Sequence, residues 1–228
     1  MPDTAGARKV LGSLGSVVHA VRSGTQLMKT NGTSITTGPI ARPPANAQPA
    51  RVFVGLKVAT EAAGELAELA RPLERYAVRL VRRGDIHLTL VPPWNETHIA
   101  HAVETLRAAI SGFGSFLLRF AHVGYGPTLR DPRLLWVDCV ACEELKDLRM
   151  ALLAAYGQID SRPFQPHVTL ARIPRSGRAI ARQNPMDQTL SLTQHVTSVE
   201  LFQSPPKGQS GYQVLASLPL RARPRLPC

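Results

Sequence analysis

The sequence predicts an α+β fold of two related lobes joined through their sheets, with the cleft between them as the working surface. Two observations predict it. The run His87-Leu88-Thr89-Leu90 returns as His167-Val168-Thr169-Leu170, and each copy alternates polar and apolar side chains, as a strand with one buried face does. Each copy is also preceded by a strand pattern and a helix pattern, so the order strand, helix, histidine strand occurs twice. With the two strands side by side, two imidazoles and two hydroxyls converge on one surface. Leu88, Leu90, Val168 and Leu170 are left for the core.

Taken in order, residues 1–50 are rich in Gly, Ser, Thr, Pro and Ala, and 43–50 read as a linker. The apolar patch over 10–21 is broken by Gly12, Gly15 and His19, so it lacks the continuous core of a secretory signal. Residues 1–50 are expected to form a disordered extension or linker, and 51–228 the bilobed domain. A strand is expected over 52–58, then a helix capped by Thr60 that carries Ala63, Leu66, Ala67, Leu69 and Ala70 until Pro72 limits it. Residues 76–82 read as extended, Gly84-Asp85 as a turn, and the first histidine strand as ending before Pro92-Pro93.

Asn95 is the expected cap of a second helix, on which Ile99, Val103, Leu106 and Ile110 share a side before Gly112 and Gly114. Strands over 116–123 and 134–140 follow, separated by Gly124-Tyr125-Gly126-Pro127 and Asp131-Pro132. Glu143-Glu144 opens a third helix that buries Leu145, Leu148, Leu152 and Leu153 and ends at Gly157. A loop over 160–166 delivers the second histidine strand, and 179–188 read as helix or loop. Two last strands, 192–202 and 212–218, are joined through Pro205, Pro206, Lys207 and Gly208.

A formal charge of +11 over 228 residues and a pI near 10.4 favour an anionic partner such as nucleic acid. Cys139, Cys142 and Cys228 do not make a disulfide scaffold in a chain of this length, which favours a reducing compartment and a cytoplasmic location. Cys139 and Cys142 have metal-ligand spacing without a second pair, and His98 and His101 share a helical side without a third ligand, so no metal site is expected. No apolar run approaches the ~18 residues of a membrane span.

Histidine suits either half of acid–base chemistry, because its reference pKa of about 6.5 leaves both protonation states accessible near neutrality. Thr89 and Thr169 are hydroxyl donors beside the two rings. Arg172 follows the second motif and is expected beside the face of Thr169, a placement that a twist or bulge in that strand would change. Arg162, Arg82 and Lys207 are further cations near the motifs, and Arg79, Arg82 and Arg83 form a basic run that reads as a rim or as solvated surface. Trp94, Tyr125 and Phe164 are candidates for stacking on bases or for ordinary core packing.

The duplicated His-x-Thr-x motif resembles that of the two-histidine phosphoesterase superfamily, over residues 51 to about 221. The stretch Arg162-Pro163-Phe164-Gln165-Pro166-His167-Val168-Thr169-Leu170-Ala171-Arg172 is similar to the second motif of RNA 2',3'-cyclic phosphodiesterases, historically called 2'-5' RNA ligases. Val52-Phe53-Val54-Gly55-Leu56 and Ser204-Pro205 followed by Tyr212 fit the same pattern.

This resemblance implies a bilobed fold with pseudo-twofold symmetry, antiparallel sheets lining a central cleft and helices outside. It implies hydrolysis of a terminal 2',3'-cyclic phosphate on RNA to a 2'-phosphate, with no cofactor and no essential metal. His87 is then the proton donor, His167 the proton acceptor, and Thr89 and Thr169 hold the phosphate. Arg172, Phe164, Tyr125 and Lys207 are the expected substrate contacts. Expected partners are RNA ends or nucleotides bearing a cyclic phosphate, with no membrane; both histidines lie in one chain, so a monomer suffices. A phosphodiesterase of small cyclic or 2'-5'-linked nucleotides and a noncatalytic RNA-binding protein are the alternatives. Gln165 stands where close members often carry arginine, and Val91-Pro92-Pro93-Trp94 replaces the more usual Phe-Leu-Gly.

Overall fold

Alternation at the two motifs gives the sheet its two faces. Leu88, Leu90, Val168 and Leu170 are at most 1 % exposed, whereas the intervening His and Thr side chains reach the surface. The structure is a computed structural model describing residues 48–175, 177–206, 209 and 211–222. Most of the expected 1–50 extension, as well as Lys207, lies outside the described residues.

Among the described residues, nine strands and four helices follow in the order β1 (Ala50–Lys57), α1 (Thr60–Ala70), β2 (Arg79–Leu80), β3 (His87–Glu96), α2 (Ile99–Ile110), β4 (Phe116–Gly126), β5 (Leu134–Cys139), α3 (Glu143–Ala155), β6 (His167–Arg172), α4 (Gly177–Gln183), β7 (Asp187–Val196), β8 (Ser198–Gln203) and β9 (Gln213–Pro219). Short 3-10 turns occupy Arg71–Leu73 and Arg83–Asp85. The strands form one sheet in the order β7-β4-β5-β6-β3-β1-β8-β9, with β2 also paired to β6, and every ladder is antiparallel.

This order is a pseudo-twofold. The histidine strands β3 and β6 are central, flanked by β1 and β5, then by β8 and β4, then by β9 and β7. The halves meet at one register pair, Leu88 with Val168. Helix α1 leaves β1 in the first half yet packs on β6, and α3 leaves β5 in the second half yet packs on β3. Each half therefore covers the other's central strand with a helix. The apolar side chains of both form one continuous core, from Val52, Leu66 and Leu88 to Leu148, Val168 and Leu201.

Several local expectations are corrected. β3 does not end before Pro92-Pro93 but runs to Glu96, because the register shift against β1 between Val52 and Val54 takes up the two prolines, which cannot donate to a ladder. Asn95 therefore belongs to the strand, and the cap of α2 is His98, whose N–H donates to Glu96 Oε1 at 2.7 Å. Thr60 is the first residue of α1 rather than its cap. Ala59 precedes it, and the Ala59 N–H donates to Gln194 Oε1 of β7 at 2.8 Å.

Gly124-Tyr125-Gly126 is not a turn but the paired end of β4, opposite Trp136, Leu135 and Leu134. The expected strand over 192–202 is two strands broken at Thr197, since β7 pairs with β4 whereas β8 pairs with β1 and β9. Extended pairing in 76–82 shrinks to β2, and Gly84-Asp85 falls in a 3-10 turn.

A Cβ at Gly55 would lie 2.5 Å from the carbonyl oxygen of Leu88, a backbone atom that cannot swing aside. Gly55→Ala is therefore expected to destabilise the protein by about 1–3 kcal/mol, as overpacking does, read as a lowered urea midpoint. An unchanged midpoint would mean that β1 and β3 do not depend on this close approach.

Candidate active site

The Leu88–Val168 pair decides what faces what. Antiparallel strands run in opposite directions from that pair, so Thr169 lies across from His87 and Thr89 across from His167. All four side chains line one cavity of about 530 Å³, together with Phe53, Tyr212 and Arg172.

Each imidazole is oriented in the same way. His87 Nδ1 lies 2.6 Å from the carbonyl oxygen of Asp85, and His167 Nδ1 lies 2.8 Å from that of Gln165. A carbonyl only accepts, so Nδ1 carries the proton in both rings. Nε2 is then a base when the ring is neutral and a donor when it is charged.

The two carbonyls are themselves held through their own side chains. Asp85 Oδ1 accepts from the Tyr212 N–H at 2.9 Å, and Gln165 Nε2 donates to Asp138 Oδ1 at 3.2 Å. Asp138 sits opposite His167 in the β5–β6 register. In this chain the amide of Gln165 thus ties the second motif to β5.

The surroundings of the rings differ. His87 packs among Phe53, Tyr212 and Phe202, with centroid separations of 4.8, 4.9 and 5.4 Å, whereas His167 has Trp136 at 4.4 Å. Burial in that aromatic nest pushes the His87 pKa below its ordinary value of 6.5, and the nearby charges of Arg172 and His167 act in the same direction. The hydrogen bond to Asp85 opposes them.

Arg172 reaches the cavity because of a bulge. Strict alternation would put Arg172 on the face of Val168 and Leu170, but the β5–β6 register shifts between Leu135 and Trp136, Leu170 and Ala171 are both buried, and Arg172 emerges beside the histidines. Arg51 and Arg79 line the same cavity. Arg51 was not singled out by the sequence reading, and Arg79 appeared only within a basic run; strand pairing alone brings them here.

Other candidates lie elsewhere. Phe164 lines an adjoining cavity of about 470 Å³ that shares Thr89, Pro93 and His167 with the first, and the guanidinium of Arg149 stands 4.5 Å from its ring centroid. Arg162 borders that second cavity and pairs with Asp160 at 2.9 Å. Tyr125 is not on either cavity. It is 7 % exposed, its hydroxyl donates to the Asn184 carbonyl at 2.7 Å, and it borders a separate pocket with His122 and Asp187.

Trp94 packs on Tyr156 at 4.7 Å rather than facing the histidines. Cys139 is buried, with its thiol pushed up by desolvation, and Cys142 is also free. Among the described residues no cluster of three or more His, Cys, Asp or Glu is arranged to hold a metal ion, and no helix is long and apolar enough to cross a membrane.

A profile described as the 2'-5' RNA ligase superfamily matches residues 58–205, more than half of the chain. The chain belongs to this superfamily. Two curated members resemble it, both named RNA 2',3'-cyclic phosphodiesterase. That of Thermotoga maritima is 26% identical over 130 residues, 54% of this chain and 70% of the relative. That of Bacillus subtilis is 32% identical over 94 residues, 39% of this chain and about half (51%) of the relative.

Among solved structures, TT0787 of Thermus thermophilus superposes with a TM-score of 0.63 at 22% identity, covering 75% of this chain and 98% of its own. LigT of E. coli, crystallised with NADP+, gives 0.60 at 23%, covering 76% and 99%. These solved folds match the α+β architecture, with its antiparallel sheet flanked by helices.

Tyr212→Ala is expected to admit water to His87 and to move its pKa up toward 6.5, followed by NMR titration of the ring. A His87 titration that stays in place would show that the aromatic nest is not what depresses it.

Proposed function

We propose that this protein hydrolyses the terminal 2',3'-cyclic phosphate of RNA to a 2'-phosphomonoester by paired-histidine acid–base catalysis. The observation that carries the reading is the convergence of His87 and His167 on one cavity, each with Nδ1 tied to a carbonyl and Nε2 left for chemistry. The names of the two curated relatives support the same substrate.

In the proposed reaction, water attacks phosphorus on the side opposite the P–O3' bond. Neutral His167 takes the proton of the water at Nε2, and protonated His87 gives its Nε2 proton to the departing O3'. One P–O bond forms and one breaks, and the two rings exchange protonation states. General acid and general base each contribute typically about 10²- to 10⁴-fold. Thr89 and Thr169 donate to the non-bridging oxygens, where preformed donors act most strongly. Burial works against a charged His87 in the free protein, but a bound phosphodiester anion reverses that balance by stabilising the imidazolium.

Product analysis tests the reading. RNA ending in a 2',3'-cyclic phosphate, incubated with the protein and a chelator, is expected to yield a 2'-phosphate terminus. A 3'-phosphate would contradict the assigned bond, and unopened ends at high protein concentration would reject the activity. Replacement of His87 or His167 by Ala is expected to lower kcat about 10²- to 10⁴-fold with the fold retained, because both side chains reach the cavity surface. Thr89→Val or Thr169→Val is expected to cost about 10²-fold.

The pH dependence has a definite sign. The acid must be protonated, and the free-protein pKa of His87 lies below 6.5. kcat/KM is therefore expected to fall with rising pH along a limb centred below 6.5, and the matching limb in kcat to lie higher. A kcat/KM limb above 6.5 would remove His87 from the acid role.

A further inference from the structure

The cavity holds more positive charge than a cyclic phosphate can balance. Arg51, Arg79 and Arg172 all line it, and among the described residues no Asp or Glu does. None of the three forms an ion pair with a carboxylate among the described residues, although Arg71, Arg107, Arg133, Arg149 and Arg162 each do so elsewhere.

Arg79 and Arg172 are moreover directly opposed on β2 and β6. Like charges facing each other across neighbouring strands destabilise the pair, and each guanidinium keeps its charge at any working pH. Arg172 is also close enough to His87 to disfavour its protonation. Such an arrangement is relieved when anions lie between the guanidiniums. A cyclic phosphodiester brings a single negative charge, which the two threonines and the histidine pair already engage.

We infer that Arg51 and Arg79 form a subsite for a second phosphate group of the substrate, the internucleotide phosphate on the 5' side of the nucleotide that ends in the cyclic phosphate. This rests on the cavity being a cyclic-phosphate site and specifies its substrate as an oligonucleotide rather than a free mononucleotide. Guanidiniums hold phosphate oxygens through paired charge-assisted bonds. Arg172, opposite Arg79 and near enough to act on His87, serves both phosphates.

The test compares three compounds with the full-length protein: a nucleoside 2',3'-cyclic phosphate, the same compound with a 5'-phosphate, and a dinucleotide ending in the cyclic phosphate. Binding of the corresponding 2'-phosphate products is measured by calorimetry alongside turnover. Both compounds carrying the second phosphate are expected to exceed the plain nucleoside in kcat/KM and in affinity by about tenfold or more. A dinucleotide well above the 5'-phosphorylated nucleoside assigns the subsite to an internucleotide diester. Equality of the two leaves a general phosphate subsite and overturns the oligonucleotide assignment.

Arg51→Ala and Arg79→Ala are expected to shrink that preference most of the way to unity and to flatten its salt dependence, by about 0.7 in the log–log slope for each phosphate no longer neutralised. A parent protein without preference, or variants that keep the preference of the parent, would overturn the inference. Failure of the hydrolytic reading appears differently: no compound is turned over, while the affinity series still decides whether the second phosphate is bound.

Discussion

The pairing of Leu88 with Val168 is the interaction on which the cavity depends, because the two halves of the sheet meet at that register pair. Strand side chains alternate with a period of two, so a slip of one residue would send both histidines into the core and two leucines into the cavity. The slip is opposed by burial. Leu88, Leu90, Val168 and Leu170 are fully enclosed beneath helices that each half lends to the other. The apolar half of each motif thus fixes the register and the polar half uses it, which is why the repeated unit is a pair of alternating residues rather than a lone histidine.

The two halves resemble each other in orientation and differ in environment. Both rings present Nε2 because both donate Nδ1 to the carbonyl two residues earlier. Asp85 is held through its side-chain carboxylate by a backbone N–H of the segment before β9, and Gln165 through its side-chain amide by an aspartate of β5. His87 sits in an aromatic nest beside a guanidinium, while His167 rests on one tryptophan. Two identical environments would give two rings with the same proton affinity.

Electrostatics in the cavity follows strand pairing more than local composition. Arg51 enters from β1, Arg79 from β2 and Arg172 from a bulge at the end of β6. Arg133 and Arg162 meet carboxylates on the surface, whereas these three meet the cavity. Sequence distance hides the grouping, since neither Arg51 nor Arg79 belongs to a histidine motif. Aromatic candidates divided the same way. Phe164 borders the neighbouring cavity because it lies in the loop that delivers β6, while the hydroxyl of buried Tyr125 is tied to the Asn184 carbonyl just after α4.

The sequence by itself determined the α+β class, the two histidine strands, the face each residue of the motifs occupies, and the apolar faces of α2 and α3. All of these rest on short-range periodicity that burial enforces locally. Tertiary structure alone decided where strands broke and what capped them. Proline-bearing β3 continues to Glu96 because a register shift against β1 takes up its prolines, the chain breaks at Thr197 because β7 and β8 belong to different halves, and Gln194 from β7 holds Ala59 just before α1. It also decided the three-arginine wall, because a bulge and two strand pairings turn distant cations toward one cavity. Periodicity reports the environment of a single strand, whereas charge grouping reports which strands are neighbours, and neighbours are chosen by the packing of the whole sheet.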